Sequence, residues 1–347
     1  MINNYFNKTY KIINKTFTSL NNLNLVTKLF VTFLILLIMT CVFDSFKNIS
    51  EINPLENFAN NENKEKYEKK LDNKAYDKFY SKYYDAIHLN KKRCELELKH
   101  ITSLEKKTRS TKILDVGCGT GYTVKLFHDK AYDIIGLDQS EDMISKAQSN
   151  YPKCEFVTNN ILTSNIFDFD SFTHILCLGK TIYEIKDKIS FFDNCVSLLS
   201  KDGYLIINLV NRNLFKPYVQ NKDKDTLYDP EEYGKKVSEL IVKFDKNNEF
   251  ESKYKVKKYV QKDKDKDKDK DKAYNFVNNK AIPYSVYNEK FTNYKLHTIR
   301  ENEFNLYMPD TKTILNLAKS KDLELLKKFE LSSSGHTDEY LYVFKKI

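Results

Sequence analysis

One nine-residue stretch has residue types at a spacing suited to holding a nucleoside-like ligand, Ile113-Leu114-Asp115-Val116-Gly117-Cys118-Gly119-Thr120-Gly121. An apolar run delivers the chain to glycines at every second position, where the backbone can turn sharply and approach a ligand with no Cβ in the way. A helix is expected directly afterwards, so its unpaired N–H groups would lie beside the loop. Asp138 stands at the end of the next expected strand, where a carboxylate can accept two hydrogen bonds from a ribose. A dinucleotide loop needs G-x-G-x-x-G, whereas here the glycines run G-x-G-x-G and Asp115 precedes the first of them by two positions. A carboxylate so close repels a pyrophosphate and suits an ammonium group. The chemistry implied is recognition of a nucleoside with a cationic amino-acid tail.

The elements that must position these residues alternate. Strands are expected at 112–116, 133–137, 155–158, 174–178 and 204–210, the last after an Asp202-Gly203 turn. Helices are expected at 121–129, 141–149 (with Ser140 as its N-cap) and 188–199. A helix at 310–319 and strands at 323–331 and 340–344 follow Pro309, the two strands returning to the main sheet. Near-continuous apolar strands alternating with helices predict an α/β fold, doubly wound around a mostly parallel sheet covered on both faces. Ahead of it, 75–109 has helical spacing in Tyr76, Phe79, Tyr80, Tyr83, Tyr84 and Ile87, then Cys94, Leu96, Leu98, Ile101 and Leu104. Residues 211–309 break the rhythm. Alternating runs at 237–244, 250–260, 274–277 and 286–299 read as an antiparallel β insertion. Within it, 262–272 is a repeat of Lys and Asp, and both faces of such a strand would be charged, so it reads as a solvated loop.

On these residues, the segment 76–210 resembles the class I S-adenosylmethionine-dependent methyltransferases, whose first motif ILDVGCGTG matches without a gap. Residues 310–347 resemble that fold's closing helix and antiparallel strand pair. The resemblance implies a Rossmann-like seven-stranded sheet of order 3-2-1-4-5-7-6, S-adenosylmethionine as cofactor, and methyl transfer as the activity. Asp115 would then serve the methionine amino group, Gly117, Gly119 and Gly121 would line methionine and ribose, and Asp138 would hold the ribose hydroxyls. Gln139 and Ile161 would lie at the adenine. Many relatives carry an acid there for the adenine amino group; this chain has Asn160, whose amide can still accept that bond. Leu178, with Gly179 and Lys180, would approach the sulfonium. Tyr84, Tyr80 and Tyr83 could cap the cofactor, although core packing is the commoner fate of such a stripe.

Tyr183, Glu184 and Arg212 are the candidate substrate residues. No catalytic residue is identified, because in-line transfer can rest on proximity and alignment alone. The acceptor is also unassigned: the chain lacks an N/D-P-P-Y signature and a Pro-Cys nucleophile, which favours a small molecule, lipid or protein. The insertion 211–309 sits where relatives build a substrate cap. A catalytically silent binding module is the alternative reading. A nucleotide-binding oxidoreductase is argued against by the glycine spacing and Asp115.

The 347 residues are 41% hydrophobic and 14% aromatic, enough for a real core. The formal charge of +9 suits an anionic membrane surface or a nucleic acid. No dense Arg/Lys cluster interleaved with aromatics stands out, so a nucleic-acid partner is not favoured. Cys41, Cys94, Cys118, Cys154, Cys177 and Cys195 form no C-x-x-C pair and the histidines show no ligand spacing, so no metal is expected. Residues 25–43, LVTKLFVTFLILLIMTCVF, match the length of about 20 apolar residues that spans a bilayer. They are expected to form one transmembrane helix that holds the chain to a membrane. A polar basic tail, 1–24, precedes it and a charged flexible tether, 44–74, leads to the domain at 75–347. Lys8, Lys11, Lys15 and Lys28 put the N-terminus in the cytosol and the domain on the far side. Use of S-adenosylmethionine asks for the cytosolic face instead, so the facing side stays open.

Overall fold

The computed structural model describes residues 66–212, 239–243, 248–256, 274–275, 280–281, 285–334 and 339–347. The expected membrane helix at 25–43, the basic tail before it and the 262–272 repeat lie outside these residues. Among the described residues, no helix is long and apolar enough to cross a membrane.

The main sheet has seven strands: β2 (Lys112–Val116), β3 (Asp133–Asp138), β4 (Glu155–Thr158), β5 (Phe172–Cys177), β6 (Leu199–Val210), β13 (Leu323–Glu330) and β14 (Glu339–Lys346). Its order is β4-β3-β2-β5-β6-β14-β13, parallel from β4 to β6, with β14 antiparallel to both its neighbours. In order of these strands along the chain that is 3-2-1-4-5-7-6, as the resemblance implies. Period-two alternation builds two cores from the same strands. Leu114, Val116, Ile135, Leu137, Ile175, Cys177, Leu205 and Ile207 join one apolar cluster. Ile113, Ile134, Leu176, Ile206, Leu341 and Val343 join the other.

Helices α1 (Lys78–His88), α2 (Lys91–Thr102), α3 (Tyr122–Asp129), α4 (Glu141–Asn150), α5 (Thr181–Glu184), α6 (Lys188–Leu198) and α7 (Thr311–Lys319) complete the layers. Ser140 caps α4, its hydroxyl accepting from Met143 N, and Asp77, Asn90, Asp187 and Asp310 cap α1, α2, α6 and α7 in the same way. Phe191, Phe192 and Cys195 of α6 are fully buried in the first cluster; Val124 and Phe127 of α3 are fully buried in the second. Burying each such phenylalanine contributes about 1.5–3 kcal/mol.

The insertion forms a second sheet. Its strands are β7 (Glu239–Lys243), β8 (Asn248–Val256), β11 (Ser285–Asn293) and β12 (Thr298–Leu306), antiparallel in that order; β9 (Tyr274–Asn275) pairs separately with β10 (Lys280–Ala281). The run 286–299, expected as one stretch, is divided by a turn where Asn293 Oδ1 accepts from Leu296 N and His297 takes a positive φ of 50°.

A fifth strand, β1 (Lys66–Leu71), lies parallel against β12. This corrects the expectation of a flexible tether through residue 74. Lys66–Leu71 is a charged edge strand, held by the backbone ladder and by Tyr67–Glu301 and Lys69–Glu303 bonds, both at 2.7 Å. Its charges suit an edge strand as well as a tether, so composition alone misreads it. The ordered domain therefore begins before residue 75.

Buried and half-buried positions alternate along β11 and β12, and the buried face packs on α1. Phe79 meets Phe291 at 5.2 Å and Tyr80 meets Phe304 at 5.9 Å between ring centroids. Polar groups thread this core. Arg300 donates to Asp77 Oδ2 (2.9 Å), Ala75 O (3.0 Å) and Asn302 Oδ1 (2.9 Å). His88 Nε2 lies 2.9 Å from the fully buried Glu289. The insertion and α1 are thus joined by apolar packing and buried hydrogen bonds. Arg300→Met should lower stability by about 3 kcal/mol, because Asp77 and Ala75 O lose their partner; urea denaturation measures it.

Candidate functional site

A cavity of about 340 Å³ opens at the C-terminal ends of β2, β3 and β5. The glycine loop forms its floor. Gly117, Gly119 and Gly121 have φ of 73°, 53° and 87°, a region that L side chains rarely occupy. Gly117 N and Cys118 N donate to Leu137 O at 2.7 and 3.1 Å, which folds the loop onto β3. A Cβ on Gly117 would lie 2.5 Å from the Thr181 side chain. On Gly119 it would point into the gap below Tyr84, 3.5 Å from the ring.

Asp138 ends β3 at the cavity wall. Its Oδ2 accepts from Gly119 N and its Oδ1 from Ser140 N, both at 2.9 Å. Burial raises its pKa while these amides oppose the shift. Each oxygen keeps further acceptor capacity. Gln139 and Asn160 sit beside it, with Gln139 Oε1 accepting from Asn160 Nδ2 and Asn73 Nδ2, each at 3.2 Å. Asn160 Oδ1 accepts from Leu162 N at 2.9 Å. Ile161 and Leu178 supply apolar wall.

Asp115 lies in an adjoining cavity of about 120 Å³, which shares Tyr84, Gly117, Leu178 and Gly179 with the first. It is 2% exposed, and burial, Glu97 and Asp138 push its pKa up to about 7. Arg93 stands in the same wall, bound to Glu97 (2.9 Å) and Glu339 (3.1 Å). On α5, Glu184 accepts the Tyr76 hydroxyl at 2.7 and 2.8 Å on its two oxygens. Burial raises Glu184 to about 7 against the opposing effects of Lys180 and Tyr76.

Of the residues singled out from sequence, Gly117, Gly119, Asp138, Gln139, Asn160, Ile161, Leu178, Tyr84 and Glu184 line the main cavity. Asp115 lines the adjoining one. Five lie elsewhere. Tyr80 is buried in the core with its hydroxyl 2.7 Å from His88 Nε2, and Tyr83 packs on Phe79 and Phe291. Gly121 is the N-cap of α3 and packs on Phe156 and Ala147. Tyr183 is 2% exposed and its hydroxyl accepts from Val210 N at 2.8 Å, so it braces β6. Arg212 Nη1 donates to Met308 O (3.1 Å), and the residue lines a separate cavity with Lys312 and Lys328. Asp72, Asn73, Tyr76, Thr181 and Tyr307 also line the main cavity and were not singled out for the site. Tyr76 belonged to a visible aromatic stripe; Asp72 and Asn73 fell in the misread tether. Among the described residues, no group of His, Cys, Asp and Glu is placed to hold a metal ion.

A family model described as a methyltransferase domain matches residues 107–281, half of the chain. The chain belongs to this methyltransferase family. The chain is 27% identical over 105 residues to a probable S-adenosylmethionine-dependent methyltransferase of Mycolicibacterium smegmatis. That match covers 30% of this chain and 40% of the relative, so the chain aligns with under half the length of the curated relatives it matches. Its fold is similar to CcbJ methyltransferase from Streptomyces caelestis, at TM-score 0.54 and 12% identity, covering 78% of this chain and 98% of that one. It is also similar to an S-adenosylmethionine-dependent methyltransferase from Clostridium acetobutylicum, at TM-score 0.52 and 15% identity, covering 77% and 96%. S-adenosylmethionine is the cofactor of this family. The cavities of this chain suit it: a gripped carboxylate for a diol, a buried acid for an ammonium, and a floor without Cβ atoms.

Burial makes Asp115 costly to the folded chain. Its folded pKa lies above the unfolded value, so the folded state holds the proton more tightly and its stability falls as pH rises from about 4 to about 7. Asp115→Asn should therefore raise the thermal midpoint of the ligand-free protein, with a gain that grows from pH 4 to pH 8. A gain independent of pH in calorimetric scans would contradict this assignment.

Proposed function

We propose that this chain transfers the methyl group of S-adenosylmethionine to an acceptor bound between the C-terminal end of β5 and the inserted sheet. Residues 25–43 hold it to a membrane. The observation that carries the donor assignment is Asp138, a half-buried carboxylate fixed by two backbone amides at the cavity wall. Asp138 holds the ribose hydroxyls. Asp115 receives the ammonium group, and Arg93, whose Nη2 lies 3.8 Å from where a Gly179 Cβ would sit, is the cation available to the carboxylate. Ile161 and Leu162 pack on the adenine beside Gln139 and Asn160. When bound, the cofactor supplies an electrophilic methyl on a sulfonium. Tyr84 roofs the centre and keeps water from it, while Leu178 and Gly179 align the reacting partners.

The acceptor is a small molecule, lipid or protein group admitted past the insertion. A second reading, a membrane-tethered module that binds without turnover, draws on Asn160. Its amide is engaged by Leu162 and Gln139, where many relatives offer an acid to the adenine.

Calorimetric titration of the full chain in mild detergent tests the donor assignment. Micromolar binding of S-adenosylmethionine or S-adenosylhomocysteine is expected, with none for NAD. Asp138→Ala should weaken it by about 10- to 100-fold, the worth of a charge-assisted hydrogen bond pair. No binding by folded protein would remove the reading. Binding with no transfer to any amine, alcohol, lipid or protein offered would favour the silent module.

A further inference from the structure

Glu184 is a carboxylate that the donor site does not use. It lines the main cavity directly after the β5 loop of Leu178, Gly179 and Lys180. Among the described residues its one hydrogen-bond partner is the neutral Tyr76 hydroxyl, which bridges both oxygens. One phenol proton satisfies little of a carboxylate's acceptor capacity, so the rest faces the cavity. Among the described residues, no cation within salt-bridge distance neutralises it. The charged and titratable groups around it are few. Lys180 is the cation acting on it, but its ammonium sits 4.4 Å over the Tyr287 ring on the inserted sheet. Asp72 and Asp138 face it as like charges, Tyr76 and Tyr84 are neutral, and the Cys177 thiol has its pKa raised by burial. Lys186 lines the cavity further along.

We propose that Glu184, oriented by Tyr76, takes the proton from the methyl acceptor, and that this acceptor is an amine entering as its ammonium ion. The inference rests on the donor assignment above. A half-buried, ionised acid repels a carboxylate or phosphate acceptor. It is also far too weak a base to ionise an alcohol, but it both attracts an ammonium and matches it as a proton acceptor. With its pKa near 7, Glu184 is ionised at mildly alkaline pH. In the step, an ammonium N–H bond breaks, the proton passes to a Glu184 oxygen, and the electron pair stays on nitrogen. That pair forms the N–CH3 bond as the C–S bond breaks and its electrons return to sulfur. The product is a methylated ammonium and a neutral thioether, and Glu184 then releases its proton to water.

The test uses two cofactor mimics in which sulfur is replaced by nitrogen bearing a third arm, either 2-aminoethyl or 2-hydroxyethyl. Each is titrated calorimetrically into the full chain alongside S-adenosylhomocysteine. At pH 8 the aminoethyl mimic should bind at least about tenfold tighter than the hydroxyethyl one, as a desolvated charge pair allows. E184Q should bring the ratio near one while leaving S-adenosylhomocysteine affinity unchanged. In the wild type the ratio should fade as pH falls to 6. In Y76F the fade should occur at higher pH, because Tyr76 favours the ionised form. Equal binding of both arms by the wild type, or a ratio independent of pH, overturns the proposal while S-adenosylhomocysteine still binds. Failure of the folded chain to bind any of the three overturns the donor assignment, and this inference with it.

Discussion

The hydrogen bond from Gly119 N to Asp138 is the constraint on which the rest of the site depends. It joins the loop after β2 to the end of β3, and the opposite oxygen of the same carboxylate holds Ser140 N at the start of α4. Three elements are thereby fixed around one half-buried carboxylate. The loop reaches that geometry only with left-handed backbone at Gly117, Gly119 and Gly121. Two of these glycines present bare backbone to the cavity, and the third lets α3 pack close to Phe156. A carboxylate kept in place by amides is pre-organised for a diol and needs no rearrangement on binding.

The second constraint is the roof. Helix α1 carries Tyr84 over the cavity, with Tyr76 just ahead of it, and is itself bound to the inserted sheet through Arg300, Glu289 and a cluster of aromatic rings. Lys188 extends the join from α6, donating from its buried ammonium to Ile185 O and Tyr307 O at 2.7 and 2.8 Å. Strand β1 adds the segment before α1 to the same sheet, so Asp72 and Asn73 reach the cavity mouth. Floor and roof are thus separate structures. The floor comes from the seven-stranded sheet and the roof from the insertion with the first helix.

The floor was legible in the sequence because local rules determine it. Apolar strands, alternate glycines and an acid at a strand end have few other arrangements, and the sheet order follows from the resemblance. The roof was less legible because its contacts are non-local. Lys66–Leu71 acquires its strand identity only from β12, more than 200 residues away. Tyr183 and Glu184 are adjacent and read equally well as substrate residues, yet α5 sends one into the core and the other to the cavity. Arg212 follows β6 and still faces away, because the order of the sheet carries that strand end past the site. Position after a strand end identifies a neighbourhood, and packing then decides which side chain enters it.

Hydrogen exchange of the full chain with and without S-adenosylhomocysteine tests the central claim most directly, since it reads floor and roof in one measurement. The account predicts ligand protection in two separated parts, the floor, made of the loop from Gly117 to Gly121 and the turn from Asp138 to Ser140, and the roof from Asp72 to Tyr84. Protection confined to the floor would contradict the assignment of α1 and the segment before it as the roof. Binding that left both parts unprotected would contradict the site itself.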